Sequence, residues 1–125
     1  MKVDEITDSI IGAAIEVHRE LGPGLLEGVY QKCMARELEL RHIGFEVEVT
    51  IDAVYKGTKV PNAFRMDILV MDKVVVELKT VEKILQVHSA QLLSYLKLSG
   101  KQIGLLINFN VPVLSQGIKR VVNKL

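Results

Sequence analysis

Phe64-Arg65-Met66-Asp67-Ile68-Leu69-Val70-Met71-Asp72-Lys73-Val74-Val75-Val76-Glu77-Leu78-Lys79 is the stretch whose reading decides the fold. Two apolar runs flank a short polar break. They predict strands over Phe64–Met71 and Val74–Lys79, joined by a tight turn at Asp72. Each strand carries an acid among apolar neighbours, Asp67 in the first and Glu77 in the second. A lone carboxylate is costly to bury, so each acid needs a partner. Glu77 and Lys79 are two residues apart and share a strand face. Read alone, Glu77-Leu78-Lys79 is a common triplet, equally at home in a buried ion pair or on a solvated sheet face. Asp67 on the preceding strand adds a second reading. Two carboxylates and a lysine that converge at one end of a hairpin would suit a hard divalent cation and a phosphate.

Parity makes that convergence conditional. With a two-residue loop, Asp72-Lys73, Asp67 and Glu77 would point to opposite faces. They share a face only if the loop has an odd number of residues, such as Met71 to Lys73, or if a bulge intervenes.

Outward from this hairpin, Phe45 to Tyr55 alternates. Phe45, Val47, Val49, Ile51, Ala53 and Tyr55 fall on one side, Glu46, Glu48, Thr50 and Asp52 on the other, which predicts a half-buried strand. Lys56-Gly57 marks a turn. Downstream, Gln86 to Ser99 reads as a helix stopped by Gly100. Ile103 to Phe109 reads as a strand buried on both faces, and Gly117 to Val122 as a short edge strand. Upstream, Ile6, Ile10, Ala13, Ala14, Val17 and Leu21 define an amphipathic helix over Asp4–Leu21, ended by Gly22-Pro23-Gly24. A second helix covers about Leu26 to His42, with Leu26, Tyr30, Cys33, Met34 and Leu38 inward and Gly44 as its end. The order α-α-β-β-β-α-β, with one further strand, implies an α/β fold with a mixed sheet flanked by helices.

The 125 residues fit one domain, residues 1–125, with a single layered core. At 49% hydrophobic and 25% charged the composition excludes a disordered chain. No apolar run is long enough to span a bilayer, and the acidic start MKVDEITDSI has no signal-peptide pattern, so no membrane role is expected. Cys33 is the single cysteine, which implies a reducing, cytoplasmic setting without disulfides. The net charge of +1 lends no weight to nucleic-acid binding. It does not exclude it either, because a metal brings its own charge.

Other polar residues have ordinary explanations of their own. Glu27 in the first helical turn suits the helix dipole. His88, Gln91 and Tyr95 form a polar stripe on the third predicted helix, of the kind a wet face carries. His18 reads as a satisfied interfacial histidine and Cys33 as core packing.

Gly24-Leu25-Leu26-Glu27-Gly28-Val29-Tyr30 matches the G-x-x-E-x-x-Y signature of the GxxExxY proteins. The surrounding V-H-R-E-L-G-P-G-L-L-E, the later V-V-V-E-L-K, the H-S-A-Q-L-L-S-Y-L helix and the G-L-L-I-N-F-N strand extend the match over nearly the whole chain. The sequence therefore resembles a family grouped with the PD-(D/E)XK nuclease superfamily, whose restriction-endonuclease-like core is αβββαβ. The resemblance implies that Asp67 and Glu77 are metal-binding carboxylates, with Met66 standing where the superfamily's name has proline. It implies the Leu78 backbone carbonyl as a third ligand. Lys79 resembles the lysine that orients or deprotonates the attacking water. Glu27 is similar to a helix glutamate that holds metal-bound water, and Gln91 and Tyr95 resemble the supporting Q-x-x-x-Y helix of exonuclease-like members. The implied cofactor is Mg²⁺ or Mn²⁺ and the implied partner nucleic acid, DNA foremost.

Together these readings predict a metal-dependent nuclease. With little room for a base-reading module, weak sequence preference is expected, or specificity from a homodimer or a protein partner. The alternatives are a catalytically silent nuclease-fold module that binds nucleic acid or protein, and an assembly protein in which Asp67, Glu77 and Lys79 form an ion-pair cluster. Cleavage of labelled DNA separates the first. Stabilisation by Mn²⁺ separates the second.

Overall fold

The computed structural model describes residues 1–124. A five-stranded mixed sheet, ordered β1-β2-β3-β4-β5, separates two helices on one face from one helix on the other. The elements are α1 (Val3–Leu21), α2 (Glu27–Leu40), β1 (Phe45–Tyr55), β2 (Thr58–Val70), β3 (Val74–Lys79), α3 (Gln86–Ser99), β4 (Ile103–Asn108) and β5 (Ile118–Val122), with a 3₁₀ turn over Leu114–Gly117. β1, β2 and β3 form an antiparallel meander. β4 returns parallel to β3 after the α3 crossover, and β5 pairs antiparallel at the far edge. This is the expected restriction-endonuclease-like architecture. No helix among the described residues is long and apolar enough to cross a membrane.

The apolar stripe of α1 and Tyr30, Met34 and Leu38 of α2 cover one face of the sheet, against Ile68, Val70, Val76, Leu78, Leu105 and Ile107. Leu92, Tyr95 and Leu96 of α3 cover the other, against Leu69, Val75 and Leu106. β4 is buried along its whole length, because both layers close over it. Leu26 departs from the expected inward set. It precedes the first turn of α2 with an extended backbone and is 79% exposed.

Two further departures shape the site. β1 does not keep one apolar face. Phe45 packs with α1 and α2, whereas Val49 and Ile51 pack on the α3 side. The switch falls at Glu48, whose φ of 53° is left-handed. The ladder runs Val47↔Ile68 and then Val49↔Met66, passing over Glu48 and its counterpart Asp67. β2 turns over at the same level, with Ile68 and Val70 in one core and Phe64 and Met66 in the other. In addition, β2 begins at Thr58, not at Phe64. Lys56 and Gly57 both have positive φ, 48° and 81°, as a two-residue type I′ hairpin requires. The strands beyond Phe64 form a two-stranded ribbon whose residues are mostly exposed. Pro61 is tolerated in it because β3 pairs with β2 only at Ile68–Val70, so Pro61 lacks no ladder bond on that side.

Candidate active site

The parity condition is met by the turn. Val70 pairs with Val74, leaving a three-residue loop, Met71 to Lys73. Met71 and Asp72 adopt left-handed φ of 53° and 56°, and Lys73 N–H closes the turn on the Val70 carbonyl at 3.0 Å. The same register carried inward sets Asp67 against Glu77 on one face. The paired ladder stops at Ile68↔Val76, and beyond it the carboxylates replace the backbone bonds. Asp67 N–H donates to Glu77 Oε1 at 3.0 Å, and Leu78 N–H donates to Asp67 Oδ2 at 2.8 Å. Each acid thus satisfies a buried amide of the opposite strand, which is why these strands tolerate them.

The acids are 8% and 5% exposed, too buried for both to ionise easily in the metal-free protein. Burial raises the Asp67 pKa, opposed by the Leu78 N–H and by the charges of Lys79 and Arg65. Burial, then the Asp67 charge, pushes Glu77 up to about 8. Asp67 Oδ1 and Glu77 Oε2 have no protein donor among the described residues, so each acid keeps one oxygen available.

An open cleft of about 530 Å³ lies over the pair. Ala63, Phe64 and Arg65 of β2 form one wall, Gln91, Ser94 and Tyr95 of α3 another, and Asp67, Glu77 and Lys79 the floor. Lys79 Nζ donates to Gln91 Oε1 at 3.4 Å, which steers the ammonium along the floor. Tyr95 is 7% exposed and its ring packs at a tilt against Phe64, with centroids 4.8 Å apart, so it is a wall residue and not part of a wet stripe. Burial, then Glu77 and Asp67, raises its pKa and keeps the phenol protonated at neutral pH.

Glu27 opens α2 and has no direct hydrogen bond to the other site residues among the described residues. Its carboxyl nevertheless feels them. Partial burial raises its pKa first and Asp67 second, with Lys79 and Arg65 opposing. The rest of the G-x-x-E-x-x-Y segment holds it there. Tyr30 Oη donates to the Gly22 carbonyl at 2.5 Å and accepts from Leu25 N–H at 3.2 Å. Its ring stacks on Phe109 at 4.3 Å. Gly24, with φ of 97°, makes the bend.

His88 takes no part in the cleft. Its Nδ1 accepts from Leu85 N–H at 2.9 Å and so caps α3. His18 Nε2 bonds the Val111 carbonyl at 2.8 Å, an interfacial role, and Cys33 packs against the core. Three contributors had no signal strong enough to find in the sequence. Arg65 and Ser94 look like ordinary surface residues until the cleft forms around them. Asn108, 1% exposed, sits beside Lys79 in the parallel ladder. It donates to the Val81 carbonyl at 2.8 Å and accepts from the Val81 and Asn110 amides, each at 3.1 Å, so it fixes the chain that leaves Lys79.

No group of three or more His, Cys, Asp or Glu side chains is assembled as a metal cage among the described residues. The donor set still fits a hard cation: two carboxylates that repel each other, each with an available oxygen at an open cleft.

A sequence model of the PD-(D/E)XK nuclease superfamily matches residues 4–121. The chain belongs to that superfamily. Among solved structures, the crystal structure of SSO0001 is similar, with a TM-score of 0.59 and 19% identity over 96% of this chain and 67% of that one. At that identity the likeness speaks for the fold alone. No curated protein matches the sequence. Membership points to nuclease-type chemistry on nucleic acid, in a superfamily that usually employs divalent metals.

Proposed function

We propose that this chain is a Mg²⁺- or Mn²⁺-dependent deoxyribonuclease of the GxxExxY kind, acting in the cytoplasm and hydrolysing phosphodiester bonds with little base preference. The observation that carries this reading is the Asp67–Glu77 pair under an open cleft, with Lys79 beside it. The ion-pair alternative is disfavoured by the same geometry, because Lys79 Nζ bonds Gln91 and no salt bridge joins it to either acid among the described residues.

Asp67, Glu77 and the Leu78 carbonyl would hold the cation directly, with Glu27 reaching it through water. Bound there, a divalent ion supplies Lewis acidity at the phosphate and lowers the pKa of its water. The protein's own part is positional and electrostatic. Lys79 places positive charge where the transition state gains negative charge, and orients the attacking water. Gln91 holds the Lys79 ammonium in line. Tyr95 and Phe64 give the cleft a rigid wall.

The test is cleavage of end-labelled DNA and RNA of random sequence with Mg²⁺, Mn²⁺ or chelator, by the wild type and by Asp67→Asn. Metal-dependent cleavage lost in the variant supports the proposal. Binding without cleavage under any metal would return the chain to the silent-module alternative.

A further inference from the structure

Arg65 lies on β2 beyond the last rung paired with β3, Ile68↔Val76, where the two strands part. Two acids and two cations, Asp67, Glu77, Arg65 and Lys79, line the same cleft there. Arg65 lines the cleft together with Lys79, Gln91 and Ser94. Its charge reaches both Asp67 and Glu27.

Arg65 is not committed to a structural partner. Its one ion pair among the described residues, to Glu48 Oε1, is 3.8 Å long, and the two side chains are 58% and 51% exposed. A pair of that kind contributes little and is easily exchanged for a better anion. A phosphate offers one, because guanidinium matches two of its oxygens at once. The Glu48 backbone is left-handed where the strands turn over opposite Asp67.

We propose that Arg65 is a substrate-binding residue that grips a nucleic-acid phosphate across the cleft from Lys79. This rests on the nuclease reading and divides the labour between the two cations. Arg65 acts on binding of the polyanion, Lys79 on the reacting phosphate and its water.

The experiment compares the wild type, Arg65→Gln, Arg65→Lys and Glu48→Gln on a labelled DNA oligonucleotide. Binding is followed against salt with Ca²⁺ as the metal, and kcat and KM are followed with Mg²⁺ or Mn²⁺. Arg65→Gln should weaken binding about tenfold, raise KM similarly with kcat within about threefold, and reduce the salt slope by about one. Arg65→Lys should restore part of the affinity. Glu48→Gln should bind as well as the wild type or better. If Arg65→Gln binds and cleaves with an unchanged salt slope while the wild type is active, the inference fails and the nuclease reading stands. If Arg65→Gln and Glu48→Gln lose affinity equally, Arg65 is only a structural partner and the inference fails. If the wild type binds DNA through Arg65 without cleaving it, the inference stands and the catalytic reading falls. If the wild type neither binds nor cleaves, both fall.

Discussion

Glu77→Gln should make the metal-free protein more stable, and only above acidic pH. Glu77 is 5% exposed and faces Asp67, and its pKa rises from 4.5 to about 8. An acid whose pKa is raised on folding costs nothing below its unfolded value, where both states are protonated. The cost grows through the window from 4.5 to about 8 and is complete above it. Forcing that charge onto the fold costs on the order of 3–5 kcal/mol. Glutamine keeps an Oε1 acceptor for the Asp67 amide, so the hydrogen bond survives while the charge goes. Its amide has to find a place beside Asp67, which offsets part of the gain. The expected difference is roughly 2–4 kcal/mol at pH 9 and near zero at pH 4. For a chain of this size that is a Tm increase of about 8–15 °C at pH 9. Thermal melts in chelator at both pH values measure it. Added Mn²⁺ should stabilise the wild type by about 2.7 kcal/mol at a hundredfold excess over Kd and leave the variant unmoved. A variant less stable at pH 9 than the wild type, or one whose gain is equal at pH 4 and pH 9, would refute the idea that two crowded carboxylates await a cation.

If Lys79 acts as proposed, on charge in the transition state and not on the metal, Lys79→Ala should retain Mn²⁺-induced stabilisation and lose at least about a hundredfold in kcat. Asn108→Ala leaves three backbone groups at Val81 and Asn110 without their partner; denaturant unfolding should show a loss of roughly 2–4 kcal/mol. Tyr30→Phe removes the hydroxyl that ties Gly22 to Leu25. It should cost about 1–2 kcal/mol in stability and lower activity by loosening the segment that presents Glu27.

The helices and the buried β4 were legible because periodicity is strong where one face, or both, must be dry. The acids of β2 and β3 were legible because charge among apolar strand neighbours demands a partner. Parity reduced their convergence to one question about loop length, but could not choose between the loops. Left-handed φ at Met71 and Asp72 decides it, and neither residue type announces that conformation. The turnover of β1 had the same origin. Glu48 adopts a left-handed φ that alternation cannot foresee, so Val49 and Ile51 landed on the face opposite Phe45. The outer half of β2 was missed because Pro61 and the polar residues around it look like loop, and an exposed ribbon leaves no burial pattern to read. Arg65 and Ser94 gain meaning only from a cleft built by elements distant in sequence.

The bonds from Asp67 and Glu77 to the facing strand bear on how this fold ages. Each side chain completes the backbone pairing at the point where β2 and β3 separate. Decay of catalysis would not release either position, because an acid or its amide is still needed there to satisfy a buried N–H. Among the described residues the side chain of Lys79 bonds only Gln91 and closes no backbone gap. Once hydrolysis ceases to be selected, Lys79 is free to drift while its neighbours stay. Under the proposed function, the lysine and not the acids would then mark a domain of this kind that still cuts.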